Sequence, residues 1–191
     1  MRILTIPATS HRGGFNQQLL ACAAVHLADL VDGELDVELV DLNDYELPIY
    51  SQDREAESGV PDLARELFDK IGAADGVIIS FAEHNGSYTA AWKNIYDWMS
   101  RIDQGVYQGK PVAMLAATPG PRAGAGVLGS AVMAAPFFGA EVVGQLGVGK
   151  FLSCFDTDAG VVTDEAIEAQ LRQLLRSLVA AIVGAETGGR T

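Results

Sequence analysis

The chain has 191 residues, 49% of them hydrophobic, and a formal net charge of −12. This length and apolar share suit one domain with a well-buried core, and no apolar run reaches the roughly 18 to 20 residues that span a bilayer. The acidity argues against nucleic acid and anionic membrane surfaces as partners.

Cys22 and Cys154 lie far apart, without metal-ligand spacing, as expected of reduced thiols. No signal-peptide pattern precedes the first strand, so a cytoplasmic location is expected.

In chain order the pattern predicts five strands alternating with helices. Arg2–Pro7 reads as a short buried strand and Asn16–Leu30 as a helix, with His26 on the helix surface. Glu34–Asp41 alternates polar and apolar residues up to Leu39, which predicts a strand with one polar face. A long polar loop through Ser51–Gly59 follows, then a helix over Pro61–Ala74 with Leu63, Leu67, Phe68 and Ile71 on one stripe. Gly76–Ala82 and Lys110–Ala117 are nearly all apolar, as strands covered on both faces are. Between them, Tyr88–Ile102 reads as an aromatic-rich helix. Val127–Phe138 reads as an apolar helix and Ala140–Val148 as the fifth strand. Phe151–Gly160 is irregular, and Asp164–Val183 forms a last helix capped by Thr163. One domain is expected over residues 1–183, and 184–191 have nothing to bury and are expected as a flexible tail.

This alternation implies an α/β fold of three layers, a five-stranded parallel sheet between helices. Right-handed crossovers and one reversal of winding give the strand order 2-1-3-4-5. Ligands of such sheets bind beyond the carboxyl ends of the strands, where strands one and three diverge. Three loops converge there: Ala8–Phe15, Ala82–Ser87 and Thr118–Gly126.

The first loop, Ala8-Thr-Ser-His-Arg-Gly-Gly-Phe15, brings hydroxyls, an arginine and two glycines to a helix N-terminus. Free backbone N–H groups and the helix dipole favour an anion there, and a phosphate is the natural guest. The alternative is a loop in which Ser10 or Asn16 only caps the helix.

In the second loop, Glu83-His-Asn-Gly-Ser87 allows a tight turn that shows backbone donors and acceptors to a flat ligand such as a flavin, with His84 against the ring. It is also compatible with a plain turn capped by Ser87, or with Glu83 and His84 as an acid/base pair, although no nucleophile accompanies them. The third loop, Thr118-Pro-Gly-Pro-Arg-Ala-Gly-Ala-Gly126, closes over the far edge or forms a mobile flap. Arg122 is equally readable as a solvated charge, and His11 shows no sign of a metal.

Ser10-His-Arg12-Gly-Gly-Phe-Asn16 resembles the S-x-R-x-x-S-x-N phosphate loop of the NAD(P)H-dependent FMN reductases of flavodoxin-like fold. That family includes bacterial quinone, chromate and azo-dye reductases. The loop here is one residue shorter after the arginine, with Gly14 where serine is usual. Glu83–Ser87 followed by Trp92-Lys-Asn-Ile-Tyr-Asp-Trp98 is similar to the family's P-E-Y-N-x-S…L-K-N-x-x-D-W signature, with Ala82 for the proline and His84 for the tyrosine. Leu47-Pro-Ile-Tyr50 with Asp53 resembles its loop after the second strand. The resemblance extends from Arg2 to about Val183.

It implies a non-covalent FMN with its phosphate on Ser10, Arg12, Gly14, Phe15 and Asn16. The ring would lie along Ala82, Glu83, His84, Asn85 and Gly86, with Thr118, Pro119 and Gly120 near its other edge. NADPH or NADH would be the co-substrate, and a quinone, free flavin or similar small molecule the acceptor, in a ping-pong cycle. No side chain is assigned a catalytic proton and no metal is implied. The competing readings are a flavodoxin-like electron carrier that oxidises no nicotinamide, and a flavin-free scaffold on the same fold.

A homodimer or homotetramer is also expected. Trp92, Tyr96 and Met99, with Ile95 and Ile102 beside them, make the 88–102 helix apolar over much of its circumference. Met133, Phe137 and Phe138 do the same for the 127–138 helix. Such surplus is expected to be exposed and to meet a second copy.

Overall fold

A computed structural model describes residues 1–188. Its centre is a parallel sheet of β1 (Arg2–Ala8), β2 (Asp36–Leu39), β3 (Gly76–Phe81), β4 (Pro111–Ala117) and β5 (Glu141–Val148), ordered β2-β1-β3-β4-β5 as expected. Every residue of β3 and β4 is buried, and for that reason these strands read as nearly unbroken apolar runs, with Ser80 the polar exception. Alternate side chains feed two cores. Ile3, Ile78, Ala113 and Leu115 pack under α1 (Phe15–Leu30) and α6 (Glu165–Gly188). On the other face Leu4, Ile6, Ile79 and Met114 meet α3 (Asp62–Ala73), α4 (Ala90–Met99) and α5 (Ala125–Ala134).

Several boundaries differ from the sequence expectation. Within the expected polar loop, α2 (Gln52–Ser58) is a helix whose first turn Ser51 caps by accepting from Arg54 N at 3.2 Å. None of its residues is buried, so no apolar stripe announced it. The 127–138 helix is two pieces: α5 ends at Ala134, and a 3-10 turn over Ala135–Phe138 carries Pro136 into Gly139 at φ +76°. The segment expected to be irregular contains the short hairpin β6 (Phe155–Asp156) and β7 (Val161–Val162). Asp164, not Thr163, caps α6, accepting from Ala166 N and Ile167 N at 3.0 Å each. The last helix continues through Gly188, so residues 184–188 of the expected tail are helical, and residues 189–191 lie outside the described residues.

The 88–102 helix is shorter than expected, and its apolar excess is not exposed. Trp92, Ile95, Trp98 and Met99 are at most 2% exposed and Tyr96 is 7% exposed. An aromatic cluster absorbs them: Tyr96 contacts Trp92, Tyr107 and Phe138 at ring separations of 5.6, 5.9 and 5.1 Å. On the same helix, Trp98 Nε1 donates to the Pro48 carbonyl at 2.8 Å, and Asn94 bonds Leu47 O and Tyr50 N. The N and W of the signature therefore clamp the loop after β2. Among the described residues no helix is long and apolar enough to cross a membrane.

Candidate functional site

The start of α1 and the carboxyl ends of β3 and β4 are tied together by one buried amide. Asn16, in the first turn of α1, accepts from Ser80 Oγ at 2.8 Å and from Ala117 N at 2.9 Å, and donates to Ala117 O at 3.2 Å. Its carboxamide is thereby committed to the scaffold, leaving only its backbone for a ligand. Thr89 makes a parallel tie, donating to Ala8 O at 2.9 Å while capping Trp92 N of α4 at 3.2 Å. The Ser87 cap considered from the sequence is therefore replaced by Thr89.

Above these ties lies a cavity of about 440 Å³ between the three loops. This is within the roughly 300–1,000 Å³ of small-molecule and cofactor sites. At one end, no side chain caps the α1 N-terminus, and Gly14, Phe15 and Asn16 line the wall. The capping alternative for the first loop thus falls away; Gln17 N and Gln18 N turn back to Gly14 O, and the N–H groups of Phe15 and Asn16 are the ones placed for an anion. Phe15 anchors this end by stacking on Phe151 at 4.8 Å.

Consecutive residues of the first loop diverge. His11 faces the cavity, and a Cβ on Gly14 would stand 2.9 Å from its Nδ1. Ser10 instead lines a neighbouring hollow with Asn43 and Tyr45. Arg12 turns outward to Asp41 at 2.6 Å and to Asp44 at 3.7 Å. Partial burial raises the Asp41 carboxyl, but the hydrogen bonds from Arg12 and Asn43 prevail and hold it below its ordinary range.

The second loop is a two-residue hairpin. His84 and Ser87 exchange both backbone bonds, and Asn85 and Gly86 both have positive φ, +53° and +78°, a type I′ turn. Ala82, Glu83 and His84 face the cavity, whereas Asn85 and Gly86 are not among its lining residues. Glu83 is not an acid/base partner of His84. Its carboxylate caps α5 instead, accepting from Val127 N at 2.8 Å. A Cβ on Gly126 would stand 2.6 Å from the Gly86 carbonyl oxygen, so glycine there lets α5 begin against the second loop.

The third loop is bonded down rather than free. Thr118 N donates to Val148 O at 2.9 Å, Phe151 N to Thr118 O at 3.1 Å, and Lys150 N to Gly120 O at 2.9 Å. Gly149 permits this approach, since a Cβ there would stand 2.9 Å from Gly120 O. Thr118, Pro119 and Gly120 line the cavity, and Arg122 lines it from the exposed side.

A family model described as NADPH-dependent FMN reductase matches residues 1–153. The chain belongs to that family. It is 36% identical over 121 residues to a 2-hydroxy-1,4-benzoquinone reductase from Burkholderia sp, an alignment covering 63% of this chain and 62% of the relative. It is 29% identical over 125 residues to a quinone reductase of Escherichia coli K12, covering 65% and 64%. Both relatives are thus matched over less than two thirds of their length. FerB, a flavoenzyme NAD(P)H:(acceptor) oxidoreductase from Paracoccus denitrificans, shares the fold with a TM-score of 0.72 at 24% identity, over 96% of this chain and 97% of that one.

For an FMN reductase family member, the lining residues that sequence reasoning missed are Thr9, His11, Ala117, Pro121 and Gly124, and Arg122 had been left open. Thr9, His11, Ala117 and Pro121 stand next to residues of the recognised motifs, and Gly124 lies further along the third loop. Only the turn of the loop decides which neighbour faces in.

Asn16→Leu should destabilise the fold by on the order of 3 kcal/mol, because it leaves buried polar groups of Ser80 and Ala117 without partners. Urea unfolding would show a lower midpoint at unchanged m.

Proposed function

We propose that this protein is an FMN-binding, NAD(P)H-dependent reductase that passes electrons to quinones, free flavin or similar small acceptors. The observation that carries the reading is a cavity of about 440 Å³ with an uncapped helix N-terminus at one end and backbone turns along its sides. The donor set suits FMN: N–H groups at Gly14–Asn16 for a phosphate, and the Ala82–His84 and Thr118–Gly120 segments for a ring with polar edges. Asn85 and Gly86 shape the second segment through their turn. When bound, FMN supplies the redox chemistry, taking hydride from the nicotinamide and giving electrons to the acceptor.

The protein's own residues bind, orient and enclose. Backbone donors of the bonded-down loops are fixed before substrate arrives, which favours charge building up on the ring. Nicotinamide and acceptor would share this one cavity in turn, hence a ping-pong cycle. Quinones are favoured as acceptors because both curated relatives quoted above are named for them. An electron carrier is the weaker reading, since its phosphate loop would have no need of an arginine. Cys22 and Cys154 are free thiols, in keeping with the cytoplasm.

Arg12 supports the phosphate by leaving Asp41. Both partners of that pair reach solvent, and exposed ion pairs are weak, whereas a phosphate offers a guanidinium two strong bonds. Ser10 lies on the same loop and would close the phosphate from the side of the second hollow.

We also propose a homo-oligomer, through α5 and the 3-10 turn that follows it rather than through α4. Met133 and Phe137 are 72% and 75% exposed, while the α4 side chains expected at the interface are buried.

Anaerobic mixing with NADPH or NADH should bleach the bound flavin, a quinone should restore it, and steady-state double-reciprocal lines should be parallel. Intersecting lines would replace the ping-pong cycle, and a flavin that neither nicotinamide reduces would leave the electron carrier. Arg12→Ala should weaken FMN binding about tenfold or more in fluorescence titration of the apoprotein. Light scattering should report an oligomer that Phe137→Glu dissociates; a monomeric parent protein would end that part of the reading.

A further inference from the structure

Away from the cavity, three unlike side chains converge where α1 meets the start of α6. Cys22 and His26 stand one helical turn apart on α1, and Glu168 comes from the first turn of α6. The sequence placed His26 on a surface, but α6 covers it and leaves it 7% exposed, beside Cys22 at 2%. The Cys22 sulfur lies 3.6 Å from His26 Nε2, and that nitrogen lies 3.1 Å from Glu168 Oε2.

Hydrogen bonding alone serves this cluster poorly. A hydrogen on Nε2 points at only one of its two neighbours, and without that hydrogen the nitrogen lone pair faces a carboxylate oxygen. His26 Nδ1 is buried with no partner among the described residues, so nothing on the far side of the ring sets its tautomer. One cation at the centre would satisfy a lone pair, a thiolate and a carboxylate oxygen together. The separations of 3.1 and 3.6 Å resemble the ligand spacings that zinc bonds of about 2.0–2.3 Å impose in a tetrahedron.

The surroundings are arranged to match. Glu168 divides its oxygens: Oε1 takes Arg172 Nε at 2.7 Å, which leaves Oε2 for the centre. Outer bonds of this kind orient metal ligands. A thiolate and a carboxylate together balance the charge of a divalent ion. Sulfur and imidazole select zinc over magnesium or calcium.

We propose that Cys22, His26 and Glu168 bind a zinc ion that fastens the start of α6 to α1, with one coordination position open on the side of the partly exposed Glu168. Neither the flavin cavity nor its chemistry enters this proposal.

The test uses the FMN-loaded protein, reduced, stripped with a chelator and titrated with zinc chloride in a calorimeter. One ion per chain is expected, with a rise in melting temperature. Zinc-edge X-ray absorption should show one sulfur neighbour at about 2.3 Å. Cys22→Ser should remove that sulfur signal and weaken binding more than tenfold, since even outer-sphere changes cost about that much. Glu168→Gln, at the solvent edge, should weaken binding too, and it covers the case in which the buried serine variant misfolds. No saturable binding, a zinc with only nitrogen and oxygen neighbours, or unchanged affinity in both variants would overturn the proposal.

Discussion

The side-chain amide of Asn16 is the interaction on which the site depends. It is the point where the first helix, the third strand and the fourth strand are held at one distance. A parallel sheet with its helices on both faces opens a crevice where its winding reverses, and that crevice is useful only if its walls keep their spacing. Ser80 and Ala117 offer buried polar groups that need partners, and one amide meets them. Because the bond spans residues 101 apart in sequence, it forms only when the sheet is in register.

The second constraint is close backbone approach. Gly126, Gly147 and Gly149 sit where a Cβ would collide with the Gly86, Ala123 and Gly120 carbonyls. They let the third loop settle on the end of β5 and let α5 begin against the second loop. Glu83 completes this by lending its carboxylate to the α5 N-terminus, where the helix dipole favours negative charge. The cavity walls are therefore largely main chain, cross-braced. Such walls suit a large planar cofactor that carries its own chemistry better than they suit side-chain catalysis.

The charge distribution follows the same logic. The chain is acidic as a whole, yet the α1 end of the cavity is uncapped by any side chain, and Arg12 beside it is paired with Asp41 and Asp44. An exposed ion pair of this kind costs little to exchange, so it can store a cation beside a site without blocking it.

By itself the sequence determined the strands, their order, the three loops at the switch point, and the family motif. Continuous apolar runs, alternation and turn residues are local properties, and local properties survive in a one-dimensional reading. The loop ahead of the first helix was legible for the same reason, through its two glycines. Tertiary structure alone decided the rest. Whether Arg12 meets a phosphate or Asp41 depends on a residue 29 positions away, and whether His26 is surface or core depends on Glu168, 142 positions away. The apolar girth of α4 suggested an exposed face, yet Tyr107 and Phe138 arrive from other segments to cover it. The α2 helix left no periodic trace because the Ser51 cap and the Glu55–Arg101 ion pair hold it rather than a buried stripe. A sequence records which side chains need partners, and only the packed chain shows which partner each one finds.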